Sequence, residues 1–381
     1  GLQPGTTYHF RVIAGSTEAR ARPGPAGRFK TLPAATDSTP VRFILTSCLN
    51  YSNFREGRGK QPGYQGPDRL LGYPALDPMR TLQPDFCVFA GDCVYYDHPT
   101  QTPARTQIEL RRKWHEQYVQ ERFVRLFAET PTYWLKDDHD HRKDDSDTTG
   151  NYAPSNALGI ATFREQVPVV DPANPRALTY RTHRMGRDLQ LWFVEGRDYR
   201  SPNATPPGPN KSIWGAEQSA WLRRTLRESD ATFKVLVSPT PMVGPDDASK
   251  KDNHVNPQGF KDEADAFFAW LREAGIPPGR FYIVCGDRHW KYHSVHPTGY
   301  EEFCSGALNK ENARSGRAPG SEGSTDPQGL IRQPYRNKVA SGGFLQVAVQ
   351  PGADARSTQI QFTYHDDDGT ELYRHAHREG R

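Results

Sequence analysis

No stretch of this sequence approaches the roughly 18 to 20 consecutive apolar residues that span a bilayer. That absence excludes a helical membrane protein and predicts a soluble chain. Neither a signal-type apolar segment nor a twin-arginine leader stands at its start. Charge of one sign is equally scarce. The 49 basic and 45 acidic side chains leave a formal charge of +4, without a long like-charged block, which removes the case for nucleic-acid binding. The five cysteines are an odd number with no C-x-x-C pair. Cys87, Cys93 and Cys285 sit in or beside apolar runs, so most of the cysteines read as free, packed thiols, which leaves the compartment open. No internal repeat is present.

What the chain does have is length and loops. Its 381 residues exceed the size at which one core stops growing, which predicts a large domain plus something smaller. With 33 glycines and 32 prolines, long connections are expected, and sites are usually built on such connections. At the start, Tyr8, Phe10 and Val12 alternate like one buried face of a strand entered from the Pro4-Gly5 turn, with a second short strand over 27–31. This resembles the closing strands of a fibronectin type III domain, where a tyrosine corner follows a Leu-x-Pro-Gly turn, and implies that the chain begins inside such a domain. A linker over 33–40 follows.

From residue 41 the grammar is α/β: apolar strands alternate with helical stretches. Buried strands are predicted at 41–46, 86–90, 132–135, 189–194, 233–237, 281–285 and 344–349, with 359–364 closing the fold. Helices are predicted at 108–129, 216–227 and 262–273. The tail after Asp368 reads as polar and frayed.

Four of the predicted strands run into metal-binding side chains. These segments are Ser47-Cys48, Asp92 with Tyr95, the run from Asp137 to His141, and Asp287 with His289. Loops leaving strand ends in open α/β folds converge on one crevice, so ligands distant in sequence can meet there. Each member has an ordinary alternative: Asp92 as a turn residue, Cys48 as a small buried hydrophobe, the acidic run as a solvated loop. Against the last, six aspartates and two histidines fall within residues 137–147, a density that repels itself without cations or full hydration. The run also follows a buried strand directly, so Asp138 and His139 are expected to face a site. Asp92 and Tyr95 offer a carboxylate and a phenol, a pair suited to a hard trivalent cation. Asp287 and His289 stand two apart, on one face of an extended backbone. Cys48 lacks a partnering base nearby in sequence, which favours a ligand role over a nucleophilic one.

In this order the segments resemble the alkaline phosphatase D family, the PhoD-like branch of the calcineurin-like metallophosphoesterases. The resemblance rests on Ser47-Cys48, Gly91-Asp92 with Tyr95, Trp134 with Asp137-Asp138-His139-Asp140, Arg197-x-Tyr199-Arg200, Trp214-Gly215 with Gln218 and Trp221-Leu222, and Gly286-Asp287-Arg288-His289. It implies two mixed sheets packed as a β-sandwich and flanked by helices, a catalytic domain over 41–381, and a partial fibronectin-like domain over 1–32. It further implies Fe3+ held by Cys48, Asp92 and Tyr95, with Ca2+ beside it. Asp287 and His289 match the closing ligands, and Asp138 with His139 takes the place of an Asn-His pair. Two departures stand out. Lys143-Asp144 occurs where many relatives have Asn, making Asp144 the candidate second-metal ligand. Pro239-Thr240-Pro241 replaces a His-bearing loop, for which Asn253-His254 is the candidate substitute.

The expected activity is hydrolysis of small phosphate esters, mono- or diesters, by a metal-activated hydroxide attacking in line. His139 and then His254 are the candidate proton donors, with Arg197 and Arg200 as clamps on phosphate oxygens. The alternatives are a phospholipase D-like phosphodiesterase and a non-catalytic, metal-stabilised anion-binding module. The family's usual habit implies export to the periplasm, cell wall or medium.

Overall fold

The computed structural model describes residues 1–17, 20–171, 174, 176–353 and 357–378. Two mixed sheets form its centre. One orders six strands as Glu371–Arg378, Gln359–His365, Phe344–Gln350, Val41–Thr46, Phe86–Ala90 and Thr132–Leu135; the other orders seven as Arg332–Arg336, Lys291–Val295, Glu301–Ser305, Phe281–Cys285, Phe233–Ser238, Leu189–Phe193 and Arg181–Met185.

The layers follow from the two-residue period of the strands. Phe43 and Leu45 point inward with Val88, Leu191, Val235, Val284 and Phe362 to fill the space between the sheets. Their sequence neighbours point outward. Ile44, Cys87 and Phe89 pack under Leu110, Trp114 and Phe123, while Trp192, Leu236 and Ile283 pack under Leu222, Phe267 and Leu271 of helices Gly215–Glu228 and Lys261–Glu273. Strands apolar on both faces are thus covered on both faces, as parallel strands must be. Among the described residues, no helix is long and apolar enough to cross a membrane.

Three expectations are corrected. The single helix over 108–129 is two, Gln107–Tyr118 and Glu121–Glu129, because Gln120 adopts an extended conformation. The break lets Phe123 and Phe127 turn onto Tyr118 and Trp134, so aromatic packing overrides a continuous helical pattern. The tail after Asp368 is not frayed: Glu371–Arg378 pairs antiparallel with Gln359–His365, and residues 379–381 lie outside the described residues. The first strands, Thr7–Ala14 and Arg22–Lys30, form a two-stranded hairpin whose supposed buried face is open, Phe10 being 38% and Val12 46% exposed.

Candidate metal centre

The strands before the key loops run parallel, so their C-terminal ends share one edge of the sandwich. There the two sheets touch. Ser47 bridges to Ala307, and a Cβ on Gly286 would meet the Ala90 carbonyl at 2.3 Å. Gly91 is required for a similar reason: its φ is +91°, and a Cβ there would lie 2.6 Å from that of Asp137. Among the described residues, five non-glycine residues have positive φ, and four belong to these loops: Cys48 (56°), Asp92 (54°), Asp145 (53°) and Asp287 (63°). Each such residue costs on the order of 1–3 kcal/mol, a strain that persists where surrounding structure over-determines it.

The strained turns gather three adjoining donor groups, and a fourth, Asp97 with His98 and His139, shares His139 with them. Cys48 Sγ lies 3.5 Å from Asp92 Oδ2, and His289 completes a set whose ligand atoms are all within 4.8 Å of one another. Asp92 also belongs to a set with Asp138 and His139, and Asp138 to a set with Asp145 and Asp252. Tyr95 Oη donates to Asp92 Oδ2 at 3.0 Å, and its ring stacks on His139 at 4.1 Å between centroids.

The electrostatics show what this arrangement needs. Burial first, then the carboxylate of Asp138, pushes Asp92 well above the usual carboxylate range. Burial and the adjacent Asp92 push the Cys48 thiol up in the same way. Against the cost of burial, His139 and Arg197 hold Asp138, and Arg197 and Arg200 hold Asp252, below the usual range; it is at Asp92 and Cys48 that a metal ion brings relief, and the mixed set of thiol, carboxylate, phenol and imidazole suits such ions. The two histidines differ. His289 Nδ1 faces the Asn312 carbonyl at 2.5 Å, so it carries the proton and leaves Nε2 free to ligate; burial keeps the ring neutral. Burial also opposes the charging of His139, but Asp138, Asp97 and Asp92 outweigh it and raise its pKa well above the ordinary value. Asp97 Oδ1 lies 2.7 Å from His139 Nδ1.

A profile of the PhoD-like phosphatases matches residues 43–353. The chain belongs to that family. Among curated proteins it is 24% identical over 270 residues to alkaline phosphatase D of Bacillus subtilis (strain 168), covering 62% of this chain but only 42% of that protein's length. In fold it superposes on a structure of PhoD with a TM-score of 0.75 at 17% identity, covering all of this chain and 76% of that one. It also superposes on the purple acid phosphatase PPD1 of yellow lupin (Lupinus luteus) seeds, with a TM-score of 0.62 at 14% identity over all of this chain and 61% of that one. A dimetal phosphatase of Danio rerio matches with a TM-score of 0.52 at 11% identity, over 89% and 99% of the two chains.

Among the residues singled out from the PhoD-like motifs, Cys48, Asp92, Tyr95, Asp138, His139 and His289 meet in the centre, whereas others lie elsewhere. Arg197 and Arg200 are buried and committed internally. Arg197 bonds Asp137 Oδ1 at 2.6 Å, the Ser146 carbonyl at 2.9 Å and Asp252 Oδ2 at 3.1 Å, while Arg200 bonds the Asp252 carbonyl and lies over the Phe260 ring. Neither presents a free fork to a phosphate. His254 turns away to Glu263 at 2.8 Å and packs on Trp214. Asp144 is 63% exposed and paired with Lys250, its Oδ1 also lying 3.8 Å from His139 Nε2. Its neighbour Asp145 enters the centre instead, because the left-handed turn at 145 redirects the chain. Asp287 is held by Arg288 and joins none of the three donor sets. Its positive φ breaks the extended backbone that places residues i and i+2 on one face.

Sequence reasoning missed Asp97, Asp145, Asp252 and Asn312. Asn312 Nδ2 donates to the Cys48 carbonyl at 2.9 Å and to Tyr95 Oη at 3.1 Å, while its own carbonyl fixes His289. The density of acids within residues 137–147 already pointed to Asp145; nothing in sequence singled out Asp252 or Asn312. A cleft of about 870 Å³ opens beside the centre, lined by Tyr95, His98, Arg55, Arg105, Arg112 and Lys113 among others.

Proposed function

We propose that this chain hydrolyses phosphate esters with metal ions held by Cys48, Asp92, Tyr95, Asp138, Asp145, Asp252 and His289. The observation that carries this reading is the sharing of Asp92 and Asp138 among three adjoining donor sets, which fits a multinuclear centre. When bound, the ions supply an acidified water and counter-charge for the phosphoryl oxygens. The thiol and phenol beside Asp92 favour Fe3+ there, and the all-carboxylate set of Asp138, Asp145 and Asp252 favours Ca2+.

The chain's own residues do the rest. His139, held at Nδ1 by Asp97, is placed to donate a proton to the leaving alkoxide. His289, neutral and fixed by Asn312, presents a lone pair rather than a charge. Asp137 and Arg197 hold the floor of the loop beneath Asp138. The cleft beside Tyr95 and His98 gives the leaving group room.

That room, with Arg55, Arg105 and Arg112 on its walls, supports a second reading in which the substrate is a phosphodiester with a sizeable second substituent. The hairpin at 7–30 supports a fibronectin-like unit ahead of a catalytic domain over 41–381. Hydrolysis of p-nitrophenyl phosphate against bis-p-nitrophenyl phosphate at alkaline pH, with iron and calcium and again after chelation, tests the proposal. Chelator-sensitive turnover is expected, and the preferred compound ranks monoesterase against diesterase. No turnover of either compound by metal-loaded protein would leave an anion-binding module as the better reading.

A further inference from the structure

Away from this centre, a second cluster of metal-ligating side chains ties the two sheets together. His293 lies on strand Lys291–Val295 and Glu301 on Glu301–Ser305, both in the seven-stranded sheet, whereas His375 lies on Glu371–Arg378 at the edge of the six-stranded sheet. The cross-strand register sets His293 opposite Phe303, whose ring stacks on the imidazole at 4.2 Å. Phe303 in turn stacks on Phe362, the strand partner of His375. The aromatic packing between the sheets thus brings the three side chains to one point.

At that point Glu301 Oε2 is 2.6 Å from His293 Nε2 and 3.1 Å from His375 Nε2, and the ligand atoms all lie within 4.8 Å of one another. Two imidazole nitrogens therefore face a single carboxylate oxygen. The other nitrogen of His293 lies 3.0 Å from Tyr373 Oη, which orients the ring as a support behind a ligand does. His375 Nε2 is buried, and its approach to Glu301 Oε2, at 3.1 Å, is looser than that of His293. His293 Nε2 is hydrogen-bonded to Glu301 Oε2 here; a tetrahedral ion with bonds of about 2.0–2.2 Å would replace that proton and open the three ligand atoms to about 3.3–3.6 Å from one another.

We propose that His293, Glu301 and His375 form a structural site for a divalent transition cation of the zinc type, pinning the last strand to the opposite sheet. Two imidazoles and one carboxylate are a zinc-type donor set, and the position between sheets makes binding a contribution to folding. The proposal is independent of the phosphoesterase reading, since none of the three residues belongs to the catalytic centre.

The test is zinc content by equilibrium dialysis and elemental analysis of the full chain, wild type against His375→Gln, Glu301→Gln and Asp92→Asn. Wild type is expected to hold one zinc more than His375→Gln or Glu301→Gln, with affinity at that position at least tenfold weaker in both. Asp92→Asn is expected to retain it. Zinc should also raise the melting temperature of wild type by a step missing in His375→Gln. That variant lies on a partly exposed strand, so it carries the test even where Glu301→Gln folds poorly. Equal zinc content and equal melting response in wild type and His375→Gln would overturn the proposal and leave a proton-bridged His–Glu–His network.

Discussion

Replacing Arg197 with Met separates two roles that sequence alone cannot tell apart. A phosphate clamp would be reachable by substrate, and its loss would raise KM while leaving the fold intact. Arg197 is instead fully buried, and its guanidinium bonds Asp137 at 2.6 Å, Ser146 at 2.9 Å and Asp252 at 3.1 Å. Removing one partner of a buried ion pair strands the other charge, at about 3–5 kcal/mol. Out of a total stability of about 5–15 kcal/mol for a native protein, that is a large fraction. Met keeps the length and apolar volume, so the cost reports the lost charge rather than a cavity. Urea unfolding of wild type and Arg197→Met, on metal-loaded protein, should show a loss of this size. Turnover of p-nitrophenyl phosphate should fall mainly in kcat, because Asp252 and Asp138 lose their common brace. Unchanged unfolding with a higher KM alone would refute the reasoning and restore the clamp.

Other consequences follow from the same geometry. Asp252→Asn removes a carboxylate from one donor set and should lower both bound metal and kcat/KM by about 100-fold or more, read by elemental analysis and turnover. His254→Ala, two residues on, should leave turnover within a few-fold of wild type while costing about 1–3 kcal/mol in urea unfolding, since it breaks the bond to Glu263 and the packing on Trp214, both outside the centre. Asn312→Ala removes the side-chain bonds to the Cys48 carbonyl and Tyr95 Oη while keeping the main-chain bond to His289, and should weaken metal binding about 10-fold, measured by competition with a chelator. For pH, burial lowers His183 from the ordinary 6.5 to about 4. Between those values the unfolded chain binds the extra proton, so stability is full above 6.5 and falls as pH drops towards 4, by about 2–3 kcal/mol. His183→Phe should remove that part of the acid sensitivity in thermal melts; an unchanged pH slope would count against it.

Legibility was uneven for physical reasons. Strands such as Val41–Thr46 and Phe281–Cys285 stand out because burial on both faces demands continuous apolar runs. Arg181–Met185, Arg332–Arg336 and Glu371–Arg378 are edge strands carrying arginine and histidine, so their alternation is weak, and they went unseen. In the centre, residues directly after a strong strand could be placed: Cys48, Asp92 and Asp138 inherit their position from the sheet. Asp145 and Asp252 sit in long loops whose path depends on turns such as the positive φ at 145. Sequence pointed to Asp144, whereas it is Asp145 that joins a donor set, for that reason. Arg197 failed differently: pattern identifies an arginine near a site, while only packing reveals that its donors are already used.

The donor sets also explain why the strained loops sit on so rigid a base. Bringing buried carboxylates together costs desolvation and mutual repulsion before any cation arrives, and the left-handed turns at 48, 92, 145 and 287 add to that cost. Loops alone would relax by swinging their acids into water. Here Asp140 takes the backbone N–H groups of Cys93 and Asp137 at 2.9 and 2.6 Å, Arg197 braces Asp137 and Asp252, and Asn312 ties Cys48 to Tyr95. Each brace is fully or almost fully buried, so swinging one acid outward would break bonds in the floor beneath its neighbours. The preorganisation that favours a metal ion is therefore supplied by residues outside the three donor sets, and those residues, more than the acids themselves, decide whether the centre exists before metal binds.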